Sequence, residues 1–190
     1  MKRKLNDLLT VNLPIIIATS LLLELSPVTL FSFANANENN VYLHGALVSE
    51  PCVILPGDED IQLNFGTIID KYIYTHTRTL GQKFNIRLSE CDLHLGQTLK
   101  ISFQGQESTA LPGLLAINAE GGAKGIAIGL ENADGKPLPL NTESNAYSLE
   151  SGSTLITLKA YAQGEPDAIA NHTIGLGTFG TTATFKLEYE

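Results

Sequence analysis

Residues 182–190 alternate in character to the last position: Ala183, Phe185, Leu187 and Tyr189 fall on one face of an extended segment, and Thr184, Lys186 and Glu188 on the other. No turn and no partner strand follow Glu190 in the sequence. The expected last strand therefore sets a row of unpaired main-chain groups beside an apolar face. Soluble proteins normally cover or charge such an edge, because it pairs readily with another chain. A fold that contains this segment is expected to leave the edge where a partner can use it.

A second alternating segment lies far upstream. Val41, Leu43, Gly45 and Leu47 alternate with Tyr42, His44, Ala46 and Val48, which predicts a strand of about eight residues ahead of the first cysteine. Two such ends suggest strand addition, in which main-chain hydrogen bonds supply affinity and pockets for alternate side chains supply specificity. The residues alone leave open the ordinary alternative, that the two segments pair within one domain.

Residues 1–36 are set aside as an export signal. Lys2, Arg3 and Lys4 form a basic start, residues 13–33 are mostly apolar, and Ala34, Asn35 and Ala36 give a small-x-small cleavage site. Glu24, Pro14 and Pro27 argue against an uncleaved spanning helix, since a carboxylate at mid-bilayer is costly. The remaining 154 residues, 37–190, match one ordinary domain. The signal carries one net positive charge (Lys2, Arg3 and Lys4 against Asp7 and Glu24), which turns the chain's −8 into −9 for the exported part. With no basic run there, nucleic acid and anionic membrane are disfavoured as partners. Cys52 and Cys91 are the only cysteines, so an oxidising compartment makes one disulfide the default, with two free thiols or a metal pair as the alternative.

Strand signals recur at 61–65, 83–88, 98–103, 114–117, 125–130 and 154–162, separated by turn clusters such as Pro56-Gly57-Asp58, Gly121-Gly122 and Asp134-Gly135. Helical signals are nearly absent, so the fold class is all-β, built as a sandwich of short strands. The run 125–130 heads into a turn at Asp134-Gly135, and 137–140 returns from it as a hairpin.

Catalytic and cofactor motifs are weak. Gly175-Leu176-Gly177-Thr178-Phe179-Gly180 spells a dinucleotide fingerprint, but that motif needs a following helix and the residues after it alternate like a strand. His44, His76, His94 and His172 are scattered without ligand spacing, and no nucleophile elbow appears. Asp58, Glu59 and Asp60 read as a solvated loop without the spacing of a calcium loop. Asn171-His172-Thr173 matches a glycosylation acceptor. No catalytic residue, metal site or small-molecule cofactor is expected.

Over 37–190 the chain resembles the pilin subunits of chaperone-usher fimbriae, of the type 1 and P-pilus kind. The resemblance rests on Gly45 seven residues before Cys52; on Phe84, Ile86 and Leu88 leading into Cys91; and on Lys124-Gly125-Ile126-Ala127-Ile128 with its Asp134-Gly135 turn. It continues through Lys159-Ala160-Tyr161-Ala162, Gly177 fourteenth from the end, and the penultimate Tyr189.

The resemblance implies an incomplete immunoglobulin-like β-sandwich lacking its final strand, with residues 37–51 as an N-terminal donor-strand extension and 52–190 as the pilin domain. It implies Val41, Leu43, Gly45 and Leu47 as the donated face. Gly177, Phe185, Leu187, Tyr189 and Glu190 would border the acceptor groove and meet the chaperone, which grips the terminal carboxylate with basic residues. It also implies Cys52–Cys91 as the intradomain disulfide.

The implied function is structural: a non-enzymatic subunit, contributing to adhesion, that passes through the periplasm and polymerises by donor-strand exchange. Its partners would be a periplasmic chaperone, an outer-membrane usher and neighbouring pilin subunits in the extracellular fimbria. A minor subunit is expected, because tip-fibrillum and adaptor pilins resemble the chain more closely than rod pilins do. The alternatives are a terminator subunit or a carbohydrate-binding tip adhesin, which would add a whole binding domain, and a secreted hydrolase for which no polar residue is nominated.

Overall fold

The computed structural model describes residues 41–118 and 122–190, so the expected export signal and residues 37–40 of the expected extension lie outside it. The chain divides after Gly45, and Ala46–Glu190 is the folded unit. Residues 41–48, expected as a strand, carry neither strand nor helix, and Val41, Leu43 and Leu47 are exposed. An extended segment becomes a strand only through the main-chain bonds of a neighbour, and alternation by itself does not supply one.

Among the described residues seven antiparallel strands follow in order: β1 (Gln82–Cys91), β2 (Thr98–Gly105), β3 (Leu115–Ala116), β4 (Ile126–Asn132), β5 (Tyr147–Ser148), β6 (Gly152–Gly164) and β7 (Ala183–Tyr189). They form a four-stranded sheet, β1-β6-β4-β3, and a three-stranded sheet, β5-β2-β7. Period-two alternation puts Ile86 and Leu88 of β1, Leu99 and Ile101 of β2, and Ile156 and Leu158 of β6 into one core. The β1–β6 register sets Phe84 opposite Leu158 and Ile86 opposite Ile156.

The runs expected at 83–88, 98–103, 114–117, 125–130 and 154–162 all contain observed strands. The expected hairpin turn forms, with the Leu138 amide donating to Leu130 O at 2.8 Å, although the returning residues make only an isolated bridge. The exception is 61–65. Its alternate residues Ile61, Leu63 and Phe65 are half-buried as a strand's would be, yet it joins no ladder. The segment is held along the outer edge of β1 by paired bonds between Val53 and Ser89 (2.9 and 2.8 Å), by Arg87 Nη1 to Asp58 Oδ1 at 3.4 Å, and by Gln82 Nε2 donating to Phe65 O at 3.3 Å.

Two short helices were not expected: α1 (Asp70–His76) and α2 (Pro166–Ala170). Each buries a single side chain, Ile73 and Ala168, too few to print a 3.6-residue period. Ile73 and Ile169 close over Gly164 at the end of β6. This covering helps to explain why β4 is an almost continuous apolar run, buried on both faces.

The second face of β4 also carries a charged pair. A Cβ on Gly129 would stand 2.2 Å from Tyr161 Cζ, so only glycine admits the ring there. The Arg78 guanidinium lies 4.2 Å over that ring, and its Nη1 donates to Glu131 Oε2 at 2.8 Å. The hydrogen bond to Glu131 is the chief cause that holds the guanidinium charged above its ordinary range. The Glu131 side chain is 4% exposed and Arg78 40%. Arg78→Met strands the carboxylate, and the usual 3–5 kcal/mol loss is discounted because water reaches the arginine. Urea unfolding is expected to register a loss of about 2 kcal/mol, and an unchanged midpoint would refute the role given to the pair.

Candidate strand-binding site

Among the described residues β7 is the edge of its sheet and pairs only with β2. Glu190 and Thr98 exchange both main-chain bonds, N to O at 2.9 Å and 3.1 Å. Alternation along an antiparallel ladder then turns the main-chain groups of Glu188, Lys186 and Thr184 toward β2. Those of Ala183, Phe185, Leu187 and Tyr189 point away from it. These same four residues carry the apolar side chains, which pack against the core yet remain only half-buried. A strand whose main chain faces outward and whose apolar face is half-covered has the chemistry of a sheet awaiting its next member.

Opposite β7 runs the segment 59–68, and between them a groove opens onto the core. It consists of two adjoining cavities of about 720 and 600 Å³ that share Gln62, Leu63, Phe65, Ile128 and Thr181. The larger is floored by Phe84, Phe103, Leu130 and Ala160, so a side chain entering it would touch both sheets. Aromatic contacts line this part: Phe84 meets Phe103 edge-on at 6.5 Å, and Phe103 meets Phe185 at 6.5 Å. The smaller cavity is walled by 62–68 and by 177–181, where Phe65 and Phe179 meet at 6.0 Å.

Of the residues expected at the site, Phe185, Leu187 and Tyr189 lie together on β7, and Gly177 lines the smaller cavity. Cys52 and Cys91 are disulfide-bonded, and the Tyr189 hydroxyl donates to Cys52 O at 3.5 Å. Burial pushes that phenol's pKa up, which keeps it a donor. The Glu190 main-chain oxygen accepts from the Gln97 and Thr98 amides at 3.0 and 3.1 Å, and its side chain pairs with Lys100. Val41, Leu43 and Gly45 lie outside the folded unit, and Leu47 is exposed at its start.

The opposite wall was missed as a site. Its Ile61, Leu63 and Phe65 line the groove, as does Phe179 from the facing wall, and the signal available is the alternation of 61–65, which by itself indicates only an ordinary strand. The fingerprint-like stretch 175–180 makes isolated bridges from Gly175 to Lys124, Thr178 to Gly122 and Gly180 to Asn118, and β7 follows where a cofactor site needs a helix. In the acidic loop Asp58 faces Arg87, and Glu59 accepts from the Gly57 amide at 2.6 Å. Among the described residues no cluster of three or more His, Cys, Asp or Glu side chains is placed to hold a metal.

The family described as "Fimbrial protein" matches residues 41–190. The chain is 30% identical over 162 residues to the Fimbria A protein of Serratia marcescens, covering 85% of this chain and 90% of that one. It is 32% identical over 158 residues to the Major MR/P fimbria protein of Proteus mirabilis, covering 83% and 87%. The crystal structure of the P pilus rod subunit PapA superposes with a TM-score of 0.63 at 23% identity, covering 74% of this chain and all of that one.

Proposed function

The chain belongs to the fimbrial protein family, and on that premise we propose that it is a structural subunit of a chaperone-usher surface fimbria, with a groove that receives a strand from a neighbouring subunit. The observation that carries this is the outward main chain of Ala183, Phe185, Leu187 and Tyr189 beside an open apolar groove. An inserted strand would pair with these groups, and its alternate side chains would fill the two cavities.

Residues 37–51 are the segment this subunit would lend in turn, with Val41, Leu43, Gly45 and Leu47 as the inserted face. Residues 41–50 of it are exposed and join no strand, as a donor must be before use. Their donor role is supported by alternation and by the glycine where a tight wall would leave no room for a side chain. Before assembly the groove would be covered by a strand from a periplasmic chaperone, which also meets Glu190, and the outer-membrane usher would then deliver the subunit to the extracellular fimbria.

The test is production of the exported chain with and without its cognate periplasmic chaperone. With it, a soluble one-to-one complex is expected; without it, the chain is expected to aggregate or be degraded, because the groove exposes apolar surface and unpaired main chain together. A stable, monodisperse monomer made without any chaperone would overturn the reading.

A further inference from the structure

We propose that the cavity formed by the connection from β4 to β5 binds the pyranose ring of a neutral saccharide, at a site carried by the folded domain itself and separate from the strand-accepting groove. The cavity measures about 340 Å³ and lies between the turn 132–139 and the stretch 142–147. That volume is at the small end of the range for small-molecule sites.

Both walls are fixed in place. Asn132 Oδ1 accepts from the amides of Asp134 and Lys136 at 3.1 and 2.9 Å, which sets the turn. On the other side the buried Ser144 hydroxyl accepts from the Ile101 amide at 2.9 Å and donates to Asn145 O at 2.7 Å, while Tyr147 pairs with Leu99 of β2. A ligand that enters has little main chain left to order.

The polar groups on these walls do not satisfy one another. Asp134 stands on one wall, Asn145 and Tyr147 on the other, and no described residue gives any of these three side chains a hydrogen bond or an ion pair. Burial, and after it the Asp134 carboxylate, pushes the Tyr147 phenol's pKa up. The phenol therefore stays a donor, within electrostatic reach of an acceptor that it does not touch. A sugar hydroxyl both donates and accepts, so it can give its proton to the Asp134 carboxylate and take the Tyr147 proton, leaving the Asn145 amide for a neighbouring hydroxyl. Leu138 and Tyr147, half-buried and packed against the core, supply carbon surface for the C–H face of the ring.

Charge selects a neutral ligand. The lining carries Asp134 and Glu143 against Lys136, and Lys100 Nζ lies 3.8 Å from Glu143 Oε2, so two carboxylates meet two ammonium groups. Neither an anion nor a cation finds a surplus of opposite charge. Among the described residues β5 and β7 are the two edges of one sheet. A strand added beside β7 does not cover the cavity, which a fibre would then present once per subunit.

The experiment uses saturation-transfer NMR on the full exported chain in complex with its chaperone, titrated with the methyl pyranosides of glucose, galactose and mannose, and with a sialic acid and a uronic acid as charged controls. At least one neutral pyranoside is expected to bind, with the charged sugars weaker. Tyr147→Phe, which keeps the ring and loses the donor, is expected to raise the dissociation constant about fivefold or more. Should Tyr147→Phe fail to fold, Asp134→Ala and Asn145→Ala, both at exposed positions, are expected to act in the same direction. A second arm exposes intact fibres to immobilised neutral oligosaccharides. Retention that the same substitutions abolish supports the end of a glycan chain as the source, strengthened by many subunits acting together; binding of the soluble pyranoside alone supports a free sugar. No binding of any neutral pyranoside at 100-fold excess over a millimolar constant, binding that none of the three substitutions weakens, or preference for a charged sugar overturns the proposal and leaves the acceptor groove standing.

Discussion

Gly45→Arg is expected to keep the subunit out of the fibre, with at least a tenfold fall in incorporation, while its complex with the chaperone accumulates as in wild type. The two outcomes separate because Gly45 lies among residues 41–50, which are exposed and carry neither strand nor helix. Nothing lies within 4 Å of a Cβ built on Gly45, so the free subunit has no steric reason to misfold. The cost would arise on insertion, where a long cation must enter a wall without room for it. Overpacking alone costs about 1–3 kcal/mol, and an unpaired buried charge adds more, which together exceed the roughly 1.4 kcal/mol that a tenfold loss requires. Electron microscopy of the fibres, with the subunit labelled, checks this. Normal incorporation of the variant would remove Gly45 from the donor face.

Removing the disulfide has the second large effect. Cys52 and Cys91 are 39 residues apart in sequence, and closing a loop of that size stabilises by about 4 kcal/mol in the chain-entropy treatment. The bond also positions the groove, since the Cys52 carbonyl receives the Tyr189 hydroxyl near the end of β7. Cys52→Ser with Cys91→Ser is therefore expected to abolish accumulation of the exported subunit, even with chaperone present. A urea titration of the wild-type complex in reducing buffer gives the same quantity without mutation, as a fall of about 4 kcal/mol in unfolding free energy. An undiminished yield of the double variant would refute both claims.

Much of this architecture was legible in the residues, and the reason is the period of two. Lys83 to Leu88, Thr98 to Phe103 and Thr154 to Ala162 alternate cleanly because each has one face on the core, and all three lie within observed strands. The last strand was legible for the same reason, with its half-covered face. Period two reports a buried face but not a hydrogen-bonded neighbour. Residues 61–65 and 41–48 carry the pattern, yet neither belongs to a ladder. The first of these is the groove's far wall, which sequence reasoning passed over because a strand without a partner looks the same in composition as one with a partner. α1 and α2 were illegible for a different reason: each is too short and buries too little to leave a helical signature. The expectation of a minor subunit depends on which neighbours meet in the fibre, and a fold shared across the family does not encode that.

The two rims of the groove differ in stiffness. β7 is fastened to β2 by a register running from Leu99–Tyr189 to Gly105–Ala183, whereas the facing segment joins no ladder and is held by separate bonds at Val53, Asp58 and Phe65 and by packing of Ile61, Leu63 and Phe65 on the core. A site with one rigid and one compliant rim can hold successive occupants of unequal bulk. The firm side dictates alignment to the nearest residue pair, because a slip of one would turn every apolar side chain outward. The yielding side adjusts to whatever volume arrives, so one lodger can be traded for another without unfolding the house.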